Sequence, residues 1–181
     1  MNNLSYRVAL GGIMTSVCLL CMFLAGIIPI LYLVLPMIAG MIMVIIADEV
    51  NIPWAFLTYI SVSLLSLFIV FDKEAALIFI MFFGHYPLLR IFISKIKTKI
   101  LRITVKFAVF NICVLVFFYL TVFVMGLTAT LEEINDWGRY GGLIMLFIVN
   151  LFFAAYDFNI NSFMLFYRKH FKPLLKKNSS H

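Results

Sequence analysis

The sequence predicts an all-α integral membrane protein: one domain over residues 1–181, folded as a bundle of six transmembrane helices with both termini in the cytoplasm. Three observations predict this class. Of the residues, 65% are hydrophobic and only 12% are charged, whereas water-soluble domains carry about 45–50% apolar and about 25% charged residues. The charges are also grouped into short stretches between long uncharged ones.

The number of spans follows from the lengths of the apolar runs. No charged residue lies between Val8 and Ala47, and a single helix of that length would measure roughly 60 Å, twice the thickness of the hydrocarbon core. Pro29 and Pro36 mark the expected break, because proline lacks the amide hydrogen and clashes with the preceding turn. We therefore expect spans at about 8–28, 31–47, 54–71, 75–92, 104–127 and 141–167, followed by a basic tail at 168–181.

Lysine and arginine in short loops decide which side of the membrane a loop occupies. With six spans, only Lys73 and Arg139 fall on one face, and the other 12 of the 14 cationic residues fall on the opposite face. This distribution predicts a multi-pass protein of the cell membrane and explains the net charge of +6 without a nucleic-acid-binding surface. The basic stretch 95–106 and the tail are expected to contact anionic membrane lipid, with a cytoplasmic partner as the alternative.

No motif indicates catalysis or metal binding. Cys18 and Cys21 form a C-x-x-C pattern inside a span, where a thiolate is disfavoured, and with Cys113 they are interpreted as small packing residues. Walker, zincin and kinase motifs are absent from the sequence. An intramembrane enzyme would also need a nucleophile–base pair, which the sequence does not offer. We therefore expect a protein that is not an enzyme and that holds no cofactor and no metal.

Two charged residues lie deep in predicted spans and are expected to pair. Asp157 lies roughly 24 Å into the last span and Arg90 about 22 Å into the fourth, so a structural ion pair between them is predicted. The alternative is that Asp157 takes part in a switch linked to transport. Asn150, Asp157 and Asn161 share one helical stripe, which indicates a polar seam that faces inward.

Several polar and aromatic side chains are candidates for a substrate site on the outer side. His85 lies within the fourth span beside Gly84 and Pro87, where we expect the helix to be kinked or opened. An ionisable group at this depth usually faces a cavity or a partner, so His85 is either a hydrogen-bonded structural residue or a ligand-facing one. Pockets are mostly apolar with a few placed polar groups. The candidates for substrate binding are His85, Tyr119, Trp137, Tyr140 and Asn150.

Small residues form a face on the first span. Ala9, Gly12 and Ser16 lie on one side of the predicted helix, and such faces let helix backbones approach closely, because packing drives helix association in lipid. Two interpretations remain open: the face packs against another span of this chain, or it contacts a separate membrane partner.

These features together resemble the substrate-binding (S) component of the energy-coupling-factor (ECF) vitamin and micronutrient transporters. The resemblance lies in the length, the six spans with both ends inside, the small-residue face at Ala9, Gly12 and Ser16, and the proline-bearing loop from Pro29 to Pro36. The segments 71–77 and 82–90 are also similar to a Firmicute branch of such proteins. The six-span cell-shape proteins are of similar size, but their Gly-Leu-x-x-Asp element is absent here.

The resemblance implies a function in uptake. In that family a vitamin binds from the outer side between the loops and spans four to six, and a scaffold membrane subunit with two ATPases supplies the energy. The small-residue face would then contact the scaffold. The expected function is a substrate-capture subunit for a small organic nutrient. The alternative is a non-transporting membrane scaffold that recruits partners through its basic loops.

Overall fold

Helices account for all regular secondary structure in the described part of the chain. The computed structural model describes residues 4–124, 126, 138–170 and 172. Two π-helical segments, Phe79–Phe83 and Leu120–Val124, and two 3-10 turns, Pro29–Leu31 and Gly138–Tyr140, accompany the α-helices. The α-helices are α1 (Leu4–Ala25), α2 (Val34–Glu49), α3 (Ile52–Ile69), α4 (Lys73–Ile78), α5 (Tyr86–Ile93), α6 (Lys99–Tyr119) and α7 (Gly141–His170).

Five helical stretches are long and apolar enough to cross a membrane: Leu4–Ala25, Ile52–Ile69, Lys73–Ile93, Lys99–Val124 and Gly138–His170. These stretches confirm the prediction of an all-α chain compatible with a multi-pass membrane protein. The stretch predicted as the second span is shorter, because α2 has 16 residues and measures about 24 Å. The sixth span and the orientation therefore stay predictions.

Most of the described charged residues lie where α2, α5 and α7 end and where α3 and α6 begin, and we call this the basic end of the bundle. Asp48, at the end of α2, is bound there by Arg168 near the end of α7 and by Lys172, which follows that helix. The rings of Phe23 and Phe71 meet at the opposite end, with centroids 5.6 Å apart. The part of the basic tail at 173–181 lies outside the described residues.

Two side chains set the starts of helices at the turns between spans. Asn51 accepts a hydrogen bond from the amide of Trp54 at 3.0 Å and so caps α3. Asp72 accepts from the amides of Glu74 and Ala75 at 2.9 and 3.2 Å and caps α4. Each cap satisfies amide groups that have no partner within the helix, and this typically stabilises a helix by about 1 kcal/mol.

α2 is the central helix of the bundle. It packs against α1, α3, α4, α5, α7 and the first π-helical segment, and most of its residues from Ala39 to Ile46 are buried. Gly40 allows the closest of these approaches, because a Cβ atom built on it would lie 2.1 Å from the backbone oxygen of Phe83. No side chain fits at this crossing unless the backbone moves.

The fourth apolar run is not a regular helix. It changes from α to π geometry at Phe79–Phe83 and restarts as α5 at Tyr86, with Pro87 in the first turn of α5. The predicted opening of the helix around His85 is therefore confirmed. Gly84 allows the ring of Tyr59 to approach this break, since a Cβ atom on Gly84 would lie 2.5 Å from that ring.

Candidate functional site

An apolar groove lies between the start of α2, the α4–π segment, α6 and α7, on the side of the bundle away from the basic end. Its volume is about 320 Å³, at the lower end of the range of about 300–1,000 Å³ that is usual for small-molecule pockets. Among the described residues that line it, Tyr32 and Cys113 are the ones with a hydroxyl or thiol group. The lining residues are Tyr32, Leu33, Ile78, Met81, Phe82, Phe83, Phe110, Cys113, Val114, Phe117, Phe118, Met145, Ile148, Val149 and Phe152.

A packed aromatic cluster forms the floor of this groove. The rings of Phe110 and Phe153 are stacked 4.5 Å apart, and Phe82 makes edge contacts with both of them at 5.0 and 5.8 Å. Phe82 and Phe110 also line the groove. Because Phe82 belongs to the first π-helical segment, the irregular turn places this ring between α6 and α7. The groove is therefore closed on the side that faces the basic end.

The predicted substrate-binding residues are not brought together by the structure. Tyr119 and Tyr140 are 58% and 64% exposed and do not line the groove. Asn150 is engaged elsewhere, because it exchanges two hydrogen bonds of 3.0 Å with Asn111 between α6 and α7. Trp137 lies outside the described residues.

His85 lies beside the groove, behind Cys113. Its Nδ1 is 3.2 Å from the carbonyl oxygen of Ile80, and its Nε2 is 3.8 Å from the Cys113 sulfur. The Ile80 oxygen also accepts a hydrogen bond of 2.8 Å from the hydroxyl of Tyr59. A π-helical turn leaves carbonyl groups without their regular helical partners, so these contacts give His85 a structural position in the broken helix.

A charged cluster joins α5, α6 and α7 at the basic end, with Asp157 at its centre. Oδ1 of Asp157 accepts hydrogen bonds from the Tyr86 hydroxyl at 2.7 Å and from Nε of Arg90 at 2.5 Å. Oδ2 accepts from Nζ of Lys106 at 2.6 Å. Arg90 also donates to Oδ1 of Asn161 at 2.5 Å. The structure thus brings Arg90 and Asp157 together and adds a second cation to the same carboxylate.

The burial of this cluster makes its charge balance important. The side chains of Arg90, Lys106 and Asp157 are only 14%, 13% and 20% exposed. Charged hydrogen bonds at such sites are short and strong, but removing one partner leaves a poorly solvated charge. Asp157 is therefore the carboxylate that balances two poorly solvated cations, one from α5 and one from α6.

A second charged cluster lies near the end of α2, outside the apolar run. Asp48 accepts hydrogen bonds from Arg168 at 2.6 Å and from Lys172 at 2.5 Å. Burial alone would raise the pKa of Asp48, but the hydrogen bonds from Lys172 and Arg168 outweigh it and hold that pKa below its usual value. The neighbouring Glu49 accepts a hydrogen bond from the Tyr167 hydroxyl at 2.9 Å. These bonds join α2 to α7.

The small-residue face of α1 points away from the other helices. Ala9, Gly12 and Ser16 are all exposed, and a Cβ atom on Gly12 would have no neighbour within 4 Å. The neighbouring Gly11 faces the bundle instead, 3.7 Å from the Thr58 hydroxyl oxygen by the same measure. In the described part of the chain, this face therefore does not pack against another span. Contact with a separate membrane partner is the interpretation that stays open.

Three parts of these sites were not found from the sequence. Lys106 is the eighth residue of α6, and a cation that far into an apolar helix is a usable sign of a buried partner. Tyr86 carried no comparable signal. The lining residues of the groove were not identified, because polar side chains were sought, whereas its walls are aromatic and aliphatic.

The fold and these sites define an all-helical protein with several membrane-compatible helices, an apolar groove and a charged cluster at the basic end. The chain matches no protein family, no curated protein and no solved structure in the three comparisons made. The residues and their geometry therefore carry the functional proposal.

Proposed function

We propose that this protein is a membrane-embedded substrate-capture subunit of an ATP-driven micronutrient uptake system, like the S components that its sequence resembles. The observation that carries the proposal is the apolar groove of about 320 Å³. A protein that only recruits others through its basic loops has no need of a cavity between its helices. The energy for transport would come from partner subunits.

The proposal includes six membrane crossings, with both ends on the cytoplasmic side. α2 is short, but it is surrounded by other helices, so it does not need to match the full thickness of the lipid as a lipid-facing helix does. The basic end would be cytoplasmic by the distribution of lysine and arginine. The groove would then open in the outer half of the membrane.

The lining of the groove indicates the class of ligand. Six phenylalanine rings line the groove: Phe82, Phe83, Phe110, Phe117, Phe118 and Phe152. Because burying a polar group without a partner costs free energy, this surface fits a flat, mostly apolar organic molecule with few polar groups. The hydroxyl of Tyr32 and the thiol of Cys113 are the lining groups that would orient a polar atom of the ligand.

The exposed face of α1 supports the part of the proposal that concerns partners. Ala9, Gly12 and Ser16 offer a shallow surface on which a helix of a scaffold subunit can approach closely. In the family that the sequence resembles, the scaffold subunit binds at such a face. We propose the same role for these three residues here.

Ligand binding is tested by thermal unfolding of the purified protein with a panel of apolar and amphipathic micronutrients. A ligand at 100 times its Kd stabilises the folded state by about 2.7 kcal/mol, which raises the Tm of a chain of this size by roughly 5–11 °C. Val149→Phe, which fills the groove, should abolish this rise. Leu151→Phe is the matched control, because Leu151 lies on the same helix but is 64% exposed and outside the groove.

A flat response across the panel, or an equal response in the two variants, would contradict ligand capture in the groove. The non-transporting scaffold would then become the better interpretation.

The partner surface is tested by isolating the tagged protein from its native membranes. We expect a scaffold membrane subunit and two ATPases to accompany the wild type and to be lost with Gly12→Leu. Gly142→Leu is the control, since a Cβ atom at either glycine has no neighbour within 4 Å. Retention of the complex by Gly12→Leu would exclude this face as the contact.

The orientation is tested by labelling single cysteines with an impermeant reagent in a variant without the native cysteines. Arg139→Cys should react from outside the cell, and Lys97→Cys should react only after the membrane is opened. The reverse pattern would overturn both the orientation and an outward-facing groove.

A further inference from the structure

The basic end of the bundle contains a second cavity, of about 550 Å³, and from its lining we infer that it binds a phosphate group. The cavity lies where α2 and α5 end, α6 begins and α7 approaches its end. Its polar lining is dominated by cationic side chains, and this site is separate from the groove of the proposed function. The lining residues are Val44, Ala47, Asp48, Ile52, Arg90, Ile91, Ser94, Arg102, Lys106, Asn161, Met164 and Arg168.

The charge of this cavity is not balanced by the carboxylates around it. Four cations line it, and two carboxylates bind them: Asp157 holds Arg90 and Lys106, and Asp48 holds Arg168. This leaves an excess of two positive charges, and the further pair of Lys172 and Glu49 does not change the balance. A doubly charged oxyanion would neutralise the excess.

Of the four cations that line the cavity, Arg102 is the one whose side chain binds no other described residue. Its guanidinium forms no hydrogen bond or ion pair with any described residue, and the residue is half-buried at the cavity wall. The planar guanidinium presents donors in a fork that matches two oxygens of a phosphate group. The N–H donors of this guanidinium are therefore available to an anion from outside the protein.

The paired cations also keep hydrogen-bond donors in reserve. Arg90 uses three of its five N–H groups on Asp157 and Asn161, and Lys106 uses one of its three on Asp157. The amide nitrogen of Asn161 donates to no described residue, since only its oxygen accepts a bond. The residues that carry these unused donors, on α5, α6 and α7, all line the same cavity.

A phosphate group can come to this cavity from two sources: the headgroup of an anionic lipid or a soluble phosphate. The experiment separates them with nanodiscs of phosphatidylcholine to which either 10 mM inorganic phosphate or about a tenth of phosphatidylglycerol is added. Occupancy at ten times the Kd should raise the Tm by roughly 3–6 °C. A rise only with phosphatidylglycerol identifies the headgroup, and a rise with inorganic phosphate identifies a soluble anion.

Arg102→Ala should abolish the rise, and Lys99→Ala should retain it. Lys99 is the matched control, because it lies one turn earlier on α6, carries the same charge and is exposed outside the cavity. Attraction of lipid to a diffuse basic surface would weaken equally in the two variants. An equal loss in both, or no rise of the wild type in either arm, overturns the inference.

Native mass spectrometry of the wild type gives a second readout that does not depend on the variants folding. We expect one tightly held phosphate-bearing adduct per chain after detergent exchange. A series of weakly held adducts without a preferred stoichiometry would contradict a single site.

Discussion

Replacing Asp157 with asparagine removes the one negative charge that Arg90 and Lys106 share while nearly preserving the shape of the side chain. Breaking a buried ion pair costs about 3–5 kcal/mol, whereas breaking an exposed pair costs about 0–1 kcal/mol. Because the three charged side chains are 13–20% exposed, we expect a loss near the lower bound for burial, about 3 kcal/mol. For a chain of this size the Tm should fall by roughly 6–12 °C.

The assay is thermal unfolding of the purified protein in mild detergent, followed by intrinsic fluorescence. Asp48→Asn is the matched control: it also loses a carboxylate bound by two cations, but Arg168 is 59% exposed and Lys172 is 29% exposed. Water can solvate those cations once Asp48 is neutral, so its Tm should fall by less than about 4 °C.

A compensating variant tests the physical reason for the loss. Adding Lys106→Met to Asp157→Asn removes one of the two stranded cations, so the double variant should be more stable than Asp157→Asn alone. Lys106→Met by itself should cost less than Asp157→Asn, because Asp157 would still bind Arg90. If Asp157→Asn unfolds within about 2 °C of the wild type, or if the two losses simply add, the charge-balance argument is wrong.

Two further predictions concern packing and pH. Gly40→Ala should destabilise the protein by about 1–3 kcal/mol, because the added Cβ atom would overlap the backbone oxygen of Phe83. The control, Gly12→Ala, should keep or raise the Tm. Equal effects of the two substitutions on thermal unfolding would contradict the close crossing at α2. Because the pKa of Asp48 is lower in the folded protein, its bonds should stabilise the protein above its unfolded pKa of about 3.9 and stop doing so as the pH falls through the lower folded value. The difference in Tm between the wild type and Asp48→Asn should therefore begin to shrink as the pH falls below about 4, and a difference that stays constant as the pH falls further would contradict this assignment.

Much of the fold was predictable because it depends on local composition. In lipid every backbone amide needs a partner within the protein, so a long apolar run becomes a helix whatever surrounds it. The turn at Asn51 and the cap at Asp72 depend on side chains within three residues of the amides they bind. The break at His85 was likewise signalled by its immediate neighbours Gly84 and Pro87.

The candidate sites were predictable only in part. The approach of Arg90 to Asp157 followed from their similar depths along two helices, because the depth of a residue depends only on its distance in sequence from the end of its span. The position of Asn150 did not follow, because its partner Asn111 lies on another helix and the rotation of α6 about its axis decides the contact. Tyr119 was expected near a substrate, and the structure leaves it on the outer surface.

The sequence by itself determined the helical class, the apolar lengths and the grouping of cations at a few turns, because each of these is a property of neighbouring residues. Only the tertiary structure decided that Lys106 joins Arg90 on Asp157, that Ala9, Gly12 and Ser16 face outward, and that phenylalanine rings surround a groove. Inside lipid the hydrophobic effect does not choose which helix faces meet, so packing shape and a few polar contacts between distant residues make that choice.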